Sequence, residues 1–315
     1  MTSAIPLTRV VRDPRFDRLV PADARLDRLA DGYLWAEGPV WLPHDNALLW
    51  SDVRTNRVLR WTAADRSVRE EYNPSDFANG HTLDHDGRVL ACEHGTRRVA
   101  RYERDGSRTT IVDRYEGKRF NSPNDIVVAR DGAIWFTDPP YGIVDPREGH
   151  PAPSELGHCY VFRLDRETGA LAIVSDDLID PNGLAFSPDE RTLYVSDTSR
   201  ARFEDGNHHM LAFDVVGGRT LARPRVFKVI EPGFSDGFRV DVEGNIWTSA
   251  GDGVHVLAAD GTELGRILLP EEAANCEFGG PLGQTLFITA TSTLWSIEVG
   301  IRGNVTPWVD APPHG

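Results

Sequence analysis

Short apolar runs alternate with turn-forming residues along this chain. Residues 119–142 show the unit: Ile126-Val127-Val128, then Asp131-Gly132, then Ile134-Trp135-Phe136. Apolar, β-branched and aromatic runs on either side of a dipeptide that tolerates φ > 0 predict strand, tight turn, strand. The pattern recurs. Val40-Trp41-Leu42 and Leu48-Leu49-Trp50 flank His44-Asp45-Asn46, and Leu83 and Val89-Leu90-Ala91 flank Asp86-Gly87. Leu184-Ala185-Phe186 and Leu193-Tyr194-Val195 flank Pro188-Asp189-Glu190, and Phe238-Arg239-Val240 and Ile246-Trp247-Thr248 flank Glu243-Gly244. Cys276-Glu277-Phe278 and Leu286-Phe287-Ile288 flank Leu282-Gly283. A further run follows each pair, such as Val58-Leu59-Arg60-Trp61 or Leu294-Trp295-Ser296-Ile297. Six units of roughly 40 to 60 residues, each of three or four short strands, predict an all-β, six-bladed β-propeller in which radial packing buries both faces of every unit. One propeller domain is expected over residues 1–315, with 1–34 as a lead-in whose strand, near Val10 or Leu19, completes the last blade. Two insertions, 143–157 and 199–209, read as loops on one rim.

Composition narrows the partners. The chain has 48 acidic against 34 basic residues and a net charge of −14, which argues against nucleic acid or an anionic membrane surface. Cys92, Cys159 and Cys276 have neither disulfide-framework nor zinc spacing, so they read as reduced thiols, and a cytoplasmic location is expected. The N-terminal stretch is interrupted by Pro6, Arg9, Arg12 and Asp13 and shows no apolar core of a secretory signal. No run approaches the length of a membrane span. Nothing in the sequence bears on protein partners.

Chemistry concentrates just before the first core strand of each unit. There stand Glu37-Gly38-Pro39, Asn79-Gly80-His81, Asn121-Ser122-Pro123-Asn124-Asp125, Asp180-Pro181-Asn182-Gly183, Ser235-Asp236-Gly237 and Asn275-Cys276-Glu277. The innermost strand of every blade starts at the same end of the central channel, so these side chains converge on one axis. Each alone could be a turn former, since Asx side chains bond their own backbone. Four in register in four units point instead to a shared site. Glu37, Asn124, Asn182 and Asp236 supply two carboxylates and two amide oxygens, hard donors that suit one divalent cation: Ca²⁺ first, with Mg²⁺, Mn²⁺ or Zn²⁺ as alternatives.

Glu37-Gly38-Pro39-Val40-Trp41, the 121–125 segment, Pro181-Asn182-Gly183-Leu184 and Asp236-Gly237-Phe238 with Gly244-Asn245-Ile246-Trp247 together resemble the SMP-30/gluconolactonase/LRE-like family, over about residues 35–295. The resemblance implies a six-bladed propeller with a divalent cation in its channel and hydrolysis of sugar lactones. It also implies that Glu37, Asn182 and Asp236 bind the metal, that Asn124 contacts substrate, metal or both, and that Asp236 carries an acid/base role. Some sugar-specific members have an arginine where this chain has Ser122, with Arg119 nearby. An acidic residue used by some members after the third-blade strands is replaced here by Asp138-Pro139-Pro140-Tyr141.

The expected reaction is metal-dependent opening of an ester ring, with the cation polarising the lactone carbonyl and water attacking. Asp236 is the first candidate base. A metal ligand is a weak base, so His81 is the alternative; its position is also similar to a channel histidine of paraoxonases. Asn121, Asn124, Arg119, Asp138, Tyr141 and His81 form the expected substrate-binding set, with Asp138 and Tyr141 at the channel mouth. Asp197 reads equally well as a supporting partner of the site or as a loop aspartate. His208-His209 reads as a solvated loop, and His94, His158 and His255 receive no role. A phosphotriester hydrolase on the same metal, or a non-catalytic propeller scaffold with a structural cation, remain the competing readings.

Overall fold

The computed structural model describes residues 3–304, and its sheets are six antiparallel blades. Blade one runs through Ala36–Leu42, Ala47–Asp52, Arg57–Thr62 and Val68–Tyr72, and blade two through Ala78–Leu83, Val89–Glu93, Arg98–Tyr102 and Arg108–Val112. Blade three is Ile126–Val128, Ile134–Asp138, Tyr160–Leu164 and Leu171–Ser175, and blade four is Pro181–Phe186, Thr192–Asp197, His209–Val216 and Thr220–Val229. Blades five (Phe238–Val240, Ile246–Ala250, Gly253–Leu257, Glu263–Leu268) and six (Ala273–Gly279, Thr285–Ala290, Thr293–Glu298) are completed from the N-terminus. No helix among the described residues is long and apolar enough to cross a membrane.

The lead-in does more than its pattern suggests. Thr8–Val11, which holds Val10, pairs with Glu263–Leu268 as a fifth strand of blade five. Leu19 is not in a strand; it lies in the helical turn Phe16–Leu19, packed in the core shared by blades five and six. Blade six takes Arg25–Asp31 as its fourth strand, with Ser3–Pro6 outside that.

The unbroken apolar runs of the inner strands follow from blade stacking. Side chains alternate faces along a strand, and each face of a blade meets a different neighbour. In blade one, Trp41, Leu48, Trp50, Leu59 and Trp61 pack with Phe287 and Leu294 of blade six. The intervening Val40, Leu42, Leu49 and Val58 pack with Ala78 and Leu83 of blade two. With both faces buried, neither set has a polar counterpart.

The first strands all begin at one end of the channel, and the connections from second to third strand emerge there too. Both insertions are connections of that kind, in blades three and four, so they rise on the rim that carries the polar set. At the opposite end a cavity of about 140 Å³ is lined by Val40, Trp41, Leu83, Val128, Phe186 and Phe278.

Candidate active site

β-Bulges aim the site residues. In blade one the register with the second strand shifts between Glu37 and Val40, in blade two between Ala78 and His81, and in blade four between Pro181 and Leu184. Gly38-Pro39, Asn79-Gly80 and Asn182-Gly183 occupy these shifts, with Glu37 at the edge of the first. A bulge turns side chains off the regular alternation, and glycine there lets the next blade come close. A Cβ on Gly38 would lie 1.9 Å from Asn79 O, one on Gly80 2.6 Å from Asn124 O, and one on Gly183 2.3 Å from Asp236 O. Each glycine therefore serves blade-to-blade approach. Hydroxyls of the second strands fix carbonyls of these segments: Ser51 Oγ donates to Asn79 O at 2.9 Å, Thr137 Oγ1 to Asn182 O at 2.8 Å and Ser196 Oγ to Asp236 O at 2.9 Å.

Glu37, Asn124, Asn182 and Asp236 are all buried, between 3% and 8% exposed. Glu37 Oε1 accepts from Asn275 Nδ2 at 2.6 Å and from Gly38 N at 2.8 Å, while Oε2 is buried with no hydrogen-bond partner. Asn182 Nδ2 donates to Thr198 Oγ1 at 3.1 Å, and Thr198 Oγ1 is also bonded to the Tyr141 hydroxyl. Burial pushes the Asp236 carboxyl well above its usual range, and the charges of Glu37, Glu272, Glu148 and Asp125 push it further. Burial raises Glu37 as well, against the bonds from Asn275 and Gly38. Two buried carboxylates, one with an orphaned oxygen, together with the Asn182 amide, whose nitrogen is engaged by Thr198, leave oxygen donors in want of a positive charge. The donor chemistry fits a hard cation. Among the described residues no three His, Cys, Asp or Glu side chains group as metal ligands; the four residues named here supply two carboxylates and two amides.

Deeper in the channel, Arg239 donates to Glu277 Oε2 at 2.9 Å and to Phe238 O at 2.9 Å, and lies 4.0 Å from Asp125 Oδ2. Arg239 and Glu277 also line the cavity at the far end. This ion-paired layer separates that cavity from the polar ring.

Several expected residues are occupied otherwise. Asp138 is fully buried: its Oδ2 accepts Asn121 N and its Oδ1 accepts Ser122 N, both at 2.8 Å. Burial pushes it up to about 7, opposed by those two bonds. Asn121 Nδ2 donates to Asp138 O and His158 O, and its Oδ1 accepts from Ser154 Oγ. Both residues tie down the loop entering blade three and have little left to offer a substrate. Asp197 does the same in blade four, accepting Ile179 N and Asp180 N, as does Asp52 in blade one, accepting Leu34 N and Trp35 N. Arg119 lies in a short hairpin, Arg114–Tyr115 with Lys118–Arg119, and donates to Thr96 O on the rim.

His81 stands two places after Asn79 and would share its face in a regular strand. The bulge between them turns it away. Its Nδ1 donates to Gly38 O at 2.7 Å, its ring meets Tyr102 edge-on at 6.0 Å, and burial lowers its pKa to about 4. Tyr141, by contrast, reaches the ring through Thr198.

His94, to which the sequence assigns nothing, is in the site. Its Nδ1 faces Glu148 O at 3.2 Å, and its Nε2 faces both Asn79 Nδ2 and Asn124 Nδ2 at 3.5 Å. Glu148 belongs to the blade-three insertion, and its carboxylate accepts Arg54 Nε and Nη2 at 3.1 and 2.9 Å. Arg54 in turn lies over the Trp35 ring, 4.6 Å from its centroid. The insertion thus straps blades one to three across the channel mouth. Gly142 permits the fit, since a Cβ there would lie 2.5 Å from His94 Cβ and 2.9 Å from Ser122 Cβ.

The SMP-30/gluconolactonase/LRE-like region matches residues 35–292 of the chain. A gluconolactonase of Zymomonas mobilis is 36% identical over 309 residues, spanning 92% of this chain and 85% of that protein. Pentonolactonase XacC of Haloferax volcanii is 32% identical over 261 residues, spanning 80% of each. The solved structure of a Xanthomonas campestris gluconolactonase superposes with a TM-score of 0.87 at 42% identity, over 94% of this chain and 95% of that one. Fold and sequence agree: the chain belongs to the SMP-30/gluconolactonase/LRE-like family.

Proposed function

We propose that the protein is a lactonase that opens neutral sugar lactones, glucono-1,5-lactone among them, with one divalent cation held by Glu37, Asn182 and Asp236 and approached by Asn124. The observation that carries the reading is the pair of buried carboxylates at the channel end, Glu37 with an unpartnered Oε2 and Asp236 raised by its acidic neighbours. Such a pair is costly unless a positive charge shares it. The relatives named for gluconolactone and pentonolactone chemistry give the substrate class. Ca²⁺ is the first choice for an all-oxygen set of this kind.

A cation bound there supplies Lewis acidity to the lactone carbonyl. The protein's own groups do the rest. Thr198 holds the Asn182 amide through its nitrogen, which presents the amide oxygen to the channel. The Asp236 carboxylate takes the proton of the attacking water and returns it to the ring oxygen as the ester bond breaks. His81 is left out of that task, its Nδ1 being engaged with Gly38 O and its ring with Tyr102. The strap carrying Glu148 shields the reacting centre from bulk water.

The test is proton release from glucono-1,5-lactone in weak buffer. The protein is stripped with chelator and re-supplied separately with Ca²⁺, Mn²⁺, Zn²⁺ or Mg²⁺. Activity that returns with a cation and is absent from Asp236→Ala supports the assignment and ranks the metals. No hydrolysis above background with any of the four would overturn it.

A further inference from the structure

His94 carries a specific hydrogen-bonding pattern. Its Nδ1 faces a backbone carbonyl, Glu148 O, which can only accept, so Nδ1 holds the ring proton. Nε2 of the neutral ring is then an acceptor. The atoms facing it at 3.5 Å are amide nitrogens, Asn79 Nδ2 and Asn124 Nδ2, both donors. All three side chains are at most 5% exposed. Contacts of 3.5 Å are at the outer limit of a hydrogen bond, so the protein alone uses this acceptor and these donors weakly. One acceptor and two donors converge at one point of a buried polar site.

That set is the complement of an alcohol hydroxyl, which offers one O–H donor and two acceptor lone pairs. It does not complement a carboxylate, phosphate or sulfonate oxygen, which has no proton to give and would face the Nε2 lone pair. It does not complement an ammonium group, which has no lone pair for the amides. We infer that His94, Asn79 and Asn124 form a hydroxyl-recognition subsite beside the reacting centre, and that it selects polyhydroxylated, uncharged lactones over unsubstituted ones. The inference rests on the lactonase reading for its substrate and deepens it. Ser122 fits the picture. Its short side chain is consumed by Pro139 O and Gly142 N, and both it and His94 lie against Gly142. Because Nδ1 is fixed by the strap's backbone, the orientation of the subsite is tied to closure of the insertion over the mouth.

The experiment compares glucono-1,5-lactone with δ-valerolactone, a lactone of the same ring size without hydroxyls, in the metal-loaded full-length protein. The variants are His94→Phe, His94→Gln and Asn79→Leu. Loss of one such hydrogen bond should lower the ratio of kcat/KM between the two lactones by roughly tenfold, mainly through KM. His94→Gln, which keeps an acceptor, should recover part of the ratio. A second reading does not depend on turnover: the His94 ¹⁵Nε2 signal of chelator-treated protein, recorded while adding 1,5-anhydro-D-glucitol, an unreactive ring with the same hydroxyls. The signal should shift and saturate. Equal loss of activity on both lactones in the variants, or no shift with the polyol, would overturn the subsite. A saturable shift in a protein that hydrolyses neither lactone would uphold the subsite and sink the lactonase reading, so the two failures are distinguishable.

Discussion

Gly183→Ala tests the link between blade packing and chemistry. Gly183 follows Asn182 on the bulge of blade four, and its N–H donates to Asp236 O at 3.0 Å. A methyl group there would sit 2.3 Å from that oxygen and 2.9 Å from Gly237 Cα, both backbone atoms that cannot rotate away. Restoring ordinary contact requires the two blades to part by about 1 Å. Overpacking of this kind costs about 1–3 kcal/mol, and loosening the bonds from Gly183 N and Ser196 Oγ adds about 1 kcal/mol. The expected loss is therefore about 3 kcal/mol, read from urea-denaturation midpoints at unchanged slope. The same displacement moves Asp236, and a misplacement of about 1 Å at a reacting group costs on the order of 10²-fold in rate. Gly157→Ala is the control: φ is +74° but nothing lies within 4 Å of its Cβ. It should cost about 1–2 kcal/mol and leave kcat/KM for the lactone within twofold. A Gly183→Ala protein with wild-type stability and turnover would refute the argument, as would a Gly157→Ala protein equally impaired in catalysis.

Two further outcomes follow from the buried ionisable groups. In chelator-treated protein at pH 8, Asp236→Asn should raise the thermal midpoint by roughly 5 °C, since it removes a buried carboxyl whose charge is disfavoured by burial and by Glu37, while abolishing hydrolysis; a midpoint at or below wild type, by calorimetry, would contradict this. His81 is buried and held neutral, lowered from 6.5 to about 4. Its folded value lies below its unfolded one, so its contribution is intact above pH 6.5 and is lost as pH falls from there to about 4, by up to about 3 kcal/mol. His81→Asn keeps a donor near the Nδ1 place, so its denaturation midpoints should fall less steeply over that window; parallel slopes would dismiss the assignment.

The six units were legible because their signals are local: alternation, a turn dipeptide, alternation again. The closing strands were not, because the pairing of Val10 with Arg266 or Arg28 with Trp295 is set by ring geometry and leaves no local mark. At the site, Glu37, Asn124, Asn182 and Asp236 could be picked out by their shared place before the first strands. His81 shows where that reasoning ends, since a one-residue bulge reverses the direction of a side chain without changing the sequence pattern. His94 lies just past the second strand, a place filled by Val53, Pro139 and Thr198 in blades one, three and four, so no repeat of residue type betrays it. Asp52, Asp138 and Asp197 do repeat there as second-strand ends. Their recurrence reports loop anchoring, not chemistry, and only their backbone partners reveal the difference.

Ring closure by the opening strands has a consequence for biogenesis. Thr8–Val11 and Arg25–Asp31 are synthesised more than 250 residues before their partners Glu263–Leu268 and Thr293–Glu298. Until then they are unpaired edges, the kind of segment that recruits other chains. The stretch between them is dense in charge, with Arg12, Asp13, Arg15, Asp17 and Arg18, which acts as a gatekeeper against premature association. Blades five and six consequently mature only once residues 263–298 have been made, and translation that stops short of residue 263 leaves a nascent chain with both closing strands bare for quality control to find.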